Sequence, residues 1–255
     1  MINPKELSTD ELYFSDEKYM SVSRYKSFNY CEVSAMYGEK PDSTALLVGS
    51  YIDNYFNGTL EEFKKDHPEI ISSRGKTKGE LKADFKIADD IIEKLTNDET
   101  FMKFMSGEHQ TTMTGEIAGV PFKIKMDSYT PHKAIVDLKV MRSITNRNGE
   151  YYDFITQWNY DTQLACYREI VRQNTDETLP CFIAVATKEN PINTAIIHIP
   201  DVILDRALYR VEENIEHFYK IMLGEVEPDG CGKCSACISR RKETPIISME
   251  DILEG

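Results

Sequence analysis

The stretch QTTMTGEIAGVPFKIKMDSYTPHKAIVDLKVMR, residues 110–142, decides the fold. Apolar and polar residues alternate along it, as on a half-buried strand, and Ala118-Gly119 and Thr130-Pro131 mark turns. The reading is three strands in a meander. AIVDLK, residues 134–139, is an apolar run ended by charges, which fits a buried central strand. Residues two apart on a strand share a face, so Asp137 and Lys139 project to one side of the sheet. If the 120s and 130s form a hairpin, Asp127 comes beside Asp137. Two carboxylates held together repel, and a divalent cation relieves that repulsion while gaining hard oxygen ligands. The plainer alternative makes Asp127 a turn residue and Asp137–Lys139 a surface pair.

On either side the period changes. Residues 1–20 read as a leader with little structure. SVSRYKSFNYCEVSAMYG, residues 21–38, reads as one helix capped by Ser21 or Ser23, and a second begins near Ser43 and stops at Asn57-Gly58. Residues 59–78, polar and interrupted by Pro68 and Gly75, read as a mobile loop. Residues 78–105 carry apolar positions at helical spacing, as one long helix or two in succession. Beyond the meander, DFITQWNYDTQLACYREIVRQ (153–173) is helical and residues 178–189 and 193–200 are strands. A last amphipathic helix stops at Gly224. Helices, strands, helix, strands, helix in that order indicate an α/β fold, a central mixed β-sheet flanked by helices, and one domain over residues 1–255.

Lys and Arg number 30 against 43 for Asp and Glu, a net charge of −13. That balance excludes a protein that coats nucleic acid indiscriminately, and a basic membrane-surface binder. No apolar run reaches eighteen residues, so no membrane helix is expected, and the acidic first twenty residues do not read as a secretory signal. The expected compartment is therefore cytoplasmic, with reduced thiols. The five histidines, 67, 109, 132, 198 and 217, are scattered without HExxH or a Cys–His pair, and no glycine-rich phosphate loop is present. Trp158 and most other aromatic residues read as core, with Tyr25, Phe28 and Tyr30 the ones placed to contact a single strand. Arg24, Lys26, Arg142, Arg147, Arg240 and Arg241 are candidate phosphate contacts.

Three of the six cysteines, Cys231, Cys234 and Cys237, fall within seven residues. In a reducing compartment, CxxCxxC points to metal before disulfides, and a fourth ligand is then required. Cys166 and Cys181 lie in apolar surroundings and read as inert buried thiols.

Lys125-Met126-Asp127, Ile135-Val-Asp137-Leu-Lys139 and the helical run 160–167 together resemble the PD-(D/E)xK nucleases, specifically the RecB-like, exodeoxyribonuclease VIII-like exonucleases of phage recombination. Gln163 and Tyr167 are similar to the QxxxY motif of that group and lie on one helical face. The resemblance covers residues 21–240 and implies a restriction-endonuclease-like fold. Asp127, Asp137 and Lys139 match the acidic motif, and Glu116 opens the preceding strand as an additional acid. Gly49 to Asp53 stands where those nucleases carry GxxxH, so an aspartate replaces the usual histidine ligand.

The resemblance implies a metal-dependent DNA exonuclease using Mg²⁺ or Mn²⁺. Asp127, Asp137 and the carbonyl of Leu138 would be ligands, with Glu116 or Asp53 as further candidates, and Lys139 would position water. Gln163 and Tyr167 would hold the substrate strand or support Lys139. The implied partners are DNA and a single-strand annealing protein, with no membrane. Some relatives join one early cysteine to three late ones around a [4Fe–4S] cluster. Cys31 occupies the early position, so Cys31, Cys231, Cys234 and Cys237 are the implied set, with zinc as the alternative occupant. Segment 229–240 would then pack on the N-terminal helices. The final cysteine spacing is tighter than in those relatives. A non-catalytic DNA-binding or assembly module on the same fold is the alternative function.

Overall fold

The structure, a computed structural model, describes residues 3–39 and 43–249. The chain divides into two compact units, residues 1–22 with 42–216, and residues 23–41 with 217–255.

The first unit opens with α1 (Asp10–Ser15), N-capped by Thr9, and the two-residue strand β1 (Met20–Ser21). These residues were expected to carry little structure. They are instead pinned by Lys123, a buried lysine whose ammonium donates to the Tyr13 carbonyl and pairs with Asp16 Oδ2 at 3.0 Å. A charge this deep is stable only with such partners, and they fix the leader in place. Leu7, Tyr13 and Tyr19 form a small buried cluster of their own.

Helix α2 (Val22–Tyr30) ends at Cys31 and α3 (Glu32–Tyr37) follows. The single helix expected here is therefore broken, because Cys31 takes an extended conformation, φ −169°. Helix α4 (Thr44–Phe56) has Ser43 as N-cap, accepting from the Leu46 amide, and Gly58 just beyond it takes φ +73°. The expected loop over 59–78 contains α5 (Leu60–Asp66) and short 3₁₀ turns, held down by buried Phe63 and Ile70. Two helices follow, α6 (Ala83–Thr96) and α7 (Glu99–Phe104). Buried residues of α4, α6 and α7 form a core with Val136, Leu138, Ala184 and Ala186 of the sheet.

The meander has four strands: β2 (Thr111–Ile117), β3 (Val120–Met126), β4 (Ser128–Thr130) and β5 (Ala134–Met141). Ala118 and Gly119, both at positive φ, make the two-residue turn between β2 and β3. A break at Asp127 separates β3 from β4 and divides the pairing. One sheet is ordered β1-β3-β2. The other continues with β6 (Cys181–Thr187) and β7 (Thr194–Ile199) in the order β4-β5-β6-β7. Strand β5 runs parallel to β6, and the remaining pairs of that sheet are antiparallel, so the sheet is mixed.

Between β5 and β6 lie α8 (Phe154–Gln157) and α9 (Tyr160–Thr175). The periodicity suggested one helix, but Asn159 adopts a left-handed conformation, φ +53°, and splits it. Helix α9 packs on β2 where Gly115 leaves room: a Cβ there would meet Gln173 Oε1 at 2.4 Å. Gln173 donates to the Glu116 carbonyl and accepts from its amide, while Asn174 donates to the Thr114 carbonyl. Helix α10 (Asp201–Met222) is joined to α9 by buried Arg168 with Asp201 and Asp205, and by buried Asp161 with Arg210. Among the described residues no helix is long and apolar enough to cross a membrane.

In the second unit, Tyr25 and Phe28 pack on Phe218. Helix α11 (Ser235–Arg240) packs on α3, and the Val33 amide donates to the Asp229 carbonyl. The short acidic end from residue 250 lies outside the described residues.

Candidate active site and cysteine centre

Strand β5 places Asp137 between buried neighbours, opposite Ile183 of β6, with the residue 1 % exposed. An ionised carboxylate at that depth requires partners. Lys139, two residues on, supplies one through an ion pair to Oδ2. Gln163 of α9 supplies the other, donating to Oδ1 at 2.8 Å. The same amide nitrogen donates to the Tyr167 hydroxyl at 2.9 Å, so the four-residue helical spacing becomes a connected chain of polar groups. Gln163 thus reaches Asp137, the partner of Lys139, and not Lys139 itself. Burial holds the Tyr167 hydroxyl well above its ordinary pKa, so it remains protonated.

Asp127 occupies the break between β3 and β4. Its Oδ2 accepts from the Leu138 amide at 2.8 Å, which bridges the turn residue to the central strand. Amide and carbonyl of one strand residue leave on the same edge, so the Leu138 carbonyl also faces this side. Asp53, one turn from the end of α4, is the third carboxylate. Burial pushes its pKa up to about 6; Lys139 opposes that and Asp137 adds to it. Asp127 is raised well above the usual carboxylate range, first by burial and then by Asp137 and Asp53. Burial would lower the pKa of Lys139, but Asp137 and Asp127 more than reverse this and keep the ammonium charged.

Asp53, Asp127 and Asp137 therefore share one electrostatic neighbourhood with the Lys139 ammonium, and Lys125 also acts on Asp53. Among the described residues, Asp137 Oδ2 has no partner beyond the Lys139 ammonium. Hard oxygen donors that repel one another suit Mg²⁺ or Mn²⁺.

Glu116 does not join them. It is exposed, pairs with Pro121 beside the β2–β3 turn, and lies six residues of strand from Asp127, about 20 Å at the usual rise. Its main chain anchors Gln173, and its carboxylate is far from the acids. The structure thus removes Glu116 from the candidate ligand set.

Three neighbours carried no sequence signal or were overlooked. His109 Nδ1 lies 2.8 Å from the Asp127 carbonyl oxygen, and Gln110 Nε2 donates to Asp127 Oδ1 at 3.4 Å. Both come from the turn into β2, where Gln110 has φ +52°, and no spacing rule links them to residue 127. Tyr160 lies under the Lys139 ammonium, 5.2 Å from ring centroid to Nζ. Its position three residues before Gln163 on the same helix face was a usable signal. A polar cavity of about 700 Å³ adjoins this group, lined in part by Ser50, Asn54, His109 and Gln110. Trp158, expected in the core, is 57 % exposed at the break before α9, whereas Tyr25 and Phe28, expected to meet nucleic acid, are buried. Tyr30 is exposed, as that role would require.

In the second unit, four thiols converge. Their Sγ atoms all lie within 4.8 Å of one another: Cys31, Cys231, Cys234 and Cys237. Cys31 Sγ is 3.6 Å from Cys237 Sγ and 3.7 Å from Cys234 Sγ, and Cys231 Sγ is 3.9 Å from Cys237 Sγ. The Cys231 amide points at Cys31 Sγ, 3.5 Å, and the Cys234 amide at Cys231 Sγ, 3.3 Å. The amides of Lys233 and Cys234 hold the Cys231 thiol down to about 6, so it is a thiolate at neutral pH. Arg241 donates to the Gly232 carbonyl of this loop, and Arg240 lies over the Tyr37 ring. Cys166 and Cys181 are buried elsewhere, and burial pushes Cys181 up to about 12, the state of an inert thiol.

The family described as a PDDEXK-like domain of unknown function (DUF3799) matches residues 21–240. Among solved structures, a protein from Eubacterium rectale named "Putative exonuclease" is 49% identical and superposes with a TM-score of 0.88. The match covers 97% of this chain and 98% of that one. A second, SSO0001, is 11% identical with a TM-score of 0.28, covers 76% of this chain and 85% of that one, and carries no argument. No curated protein matches the chain.

Proposed function

The chain belongs to the PDDEXK-like domain family, and from that premise we propose that it is a metal-dependent DNA nuclease, working as an exonuclease on phosphodiester bonds. The observation that supports this reading most is the meeting of Asp127, Asp137 and Lys139, with Gln163 tying Asp137 to Tyr167. The 49% identical protein's name supports exonuclease action in particular.

Asp127 and Asp137, with the Leu138 carbonyl and Asp53, would hold Mg²⁺ or Mn²⁺. Such an ion, when bound, lowers the pKa of water and offsets charge on the phosphate. The remaining work falls to the chain. Asp137 is held and aimed by Gln163 and Lys139. The Lys139 ammonium, still charged at neutral pH, orients water and neutralises charge gathering on the phosphate oxygens. Water oxygen then bonds to phosphorus as the bond to the leaving sugar oxygen breaks; the water gives up one proton to solvent and the leaving oxygen takes one up, so the products are a phosphate monoester and a sugar hydroxyl. Tyr160 packs beneath Lys139 and limits where the ammonium can move. At a net charge of −13 the protein should bind DNA poorly without the divalent ion.

A role in phage or prophage recombination, delivering single-stranded ends to an annealing protein, agrees with the RecB-like sequence resemblance. We read the whole chain as one nuclease domain whose cysteine segment is structural.

The test is degradation of end-labelled linear duplex and of closed circular DNA with Mg²⁺ or Mn²⁺, with EDTA as control. Wild-type protein should consume the linear DNA only when the ion is present. Asp137→Asn and Lys139→Ala should lose activity by orders of magnitude while keeping the wild-type circular dichroism. Undiminished degradation by either variant overturns the site, and DNA binding without cleavage under all conditions favours a non-catalytic module.

A further inference from the structure

The sulfur positions bear on which metal the cysteines hold. Four ligands around one zinc ion stand at the corners of a tetrahedron with zinc–sulfur bonds near 2.3 Å, which sets each sulfur–sulfur edge at about 3.8 Å. In a four-iron cluster each thiolate has its own iron and stands one bond outside it, so the sulfurs are spread to roughly 6 Å apart. Here the separations of Cys31 from Cys237, Cys31 from Cys234 and Cys231 from Cys237 are 3.6, 3.7 and 3.9 Å. All six pairs fall within 4.8 Å. The space enclosed by these thiols takes one ion and cannot contain a cube of iron and sulfide.

We infer that Cys31, Cys231, Cys234 and Cys237 bind a single zinc ion tetrahedrally, in place of the [4Fe–4S] cluster that the RecB-like resemblance implies. The local chain explains the tightness. Gly232, at φ +71°, turns the Cys231–Cys234 segment back so that the Cys234 amide meets Cys231 Sγ. Cys234 is the N-cap of α11 and Cys237 lies three residues on, in the helix, so one turn of chain returns Cys237 to the Cys234 side. Cys31 is delivered by the break between α2 and α3, and its sulfur receives the Cys231 amide. The ion would clamp segments 200 residues apart in sequence, whether or not the carboxylate site is catalytic.

The full-length protein, purified both aerobically and anaerobically from cultures supplied with iron and zinc, is analysed for metals and acid-labile sulfide. One zinc per chain with negligible iron and sulfide is expected in both preparations, together with four sulfur neighbours at about 2.3 Å in zinc-edge X-ray absorption. Cys234→Ser should reduce the zinc content severalfold; if it fails to fold, the absorption spectrum of wild type still decides the ligand set. Four irons and four sulfides per chain in the anaerobic preparation would overturn the inference. So would reduced, metal-free protein that takes up no zinc.

Discussion

Replacing Asp53 by asparagine should make the metal-free protein more stable. In the folded chain the Asp53 carboxyl is pushed from its ordinary 3.8 up to about 6, chiefly by burial, with Asp137 adding to the shift against the opposing pull of Lys139. A folded-state pKa above the unfolded one means that ionising this group costs folding free energy. Below pH 4 the carboxyl is neutral in both states and the cost vanishes. It grows between pH 4 and 6 and is complete above pH 6. Two pKa units correspond to about 3 kcal/mol, and partial solvent access reduces the expected effect to about 2 kcal/mol. For a chain of this size that is a rise in Tm of about 4–8 °C for Asp53→Asn at pH 8 in EDTA, with no difference at pH 4. Calorimetry across that pH range is the assay. Saturating Mg²⁺ or Mn²⁺ should then reverse the order. Wild type gains about 3 kcal/mol at a hundredfold excess over Kd, whereas the variant, lacking one ligand charge, gains less. A variant no more stable than wild type at pH 8 in EDTA, or equally stabilised by the ion, would refute the electrostatic account of the three carboxylates.

Lys123→Met should lower stability by about 2–3 kcal/mol in denaturant titration, because it leaves the Tyr13 carbonyl and Asp16 without their buried charged donor. Asp16 has a pKa below its ordinary value, with the Tyr19 amide and Lys123 overcoming the effect of burial. Its stabilisation is therefore present above the unfolded value near 3.9 and is lost as pH falls through the folded value. The stability gap between wild type and Asp16→Asn, followed by chemical denaturation, should accordingly close below pH 4. Trp158→Ala, at an exposed position two residues before Tyr160, should change Tm by less than about 2 °C. If the indole stacks on a base, the variant should also weaken single-strand binding by about tenfold in fluorescence titration.

The local features of this chain were readable wherever one physical period dominated. Ser43 as N-cap, Gly58 and Gly224 as stops, and the Ala118-Gly119 turn depend on a residue's own conformational preference, and the structure has them where the pattern placed them. The breaks at Cys31 and Asn159 were not readable. Both residues sit in sequence with helical periodicity on each side, and only the contacts of the assembled units favour an extended or left-handed backbone there. The leader and residues 59–78 were misjudged for a related reason. Polar composition conceals a few anchors, Tyr13 and Asp16 on Lys123, Phe63 and Ile70 in the core, and these acquire value only once their partners exist.

The sequence by itself determined which chemical groups the candidate site holds. Asp137 and Lys139 share a strand face, and Gln163 and Tyr167 a helix face, by periodicity alone. CxxCxxC announced soft ligands before any fold was known. Tertiary structure decided which of the candidates meet. It put Asp53 in the electrostatic reach of Asp127 and Asp137, left Glu116 about 20 Å away along the hairpin, and brought His109 and Gln110 onto Asp127. It also set three of the sulfur pairs 3.6–3.9 Å apart and all four sulfurs within 4.8 Å, the separations on which the inference of one metal ion rests. The physical reason is the range of the forces involved. Backbone geometry acts over a few residues and is written in local order, whereas charge repulsion and metal coordination act through space between groups whose separation only the folded chain fixes.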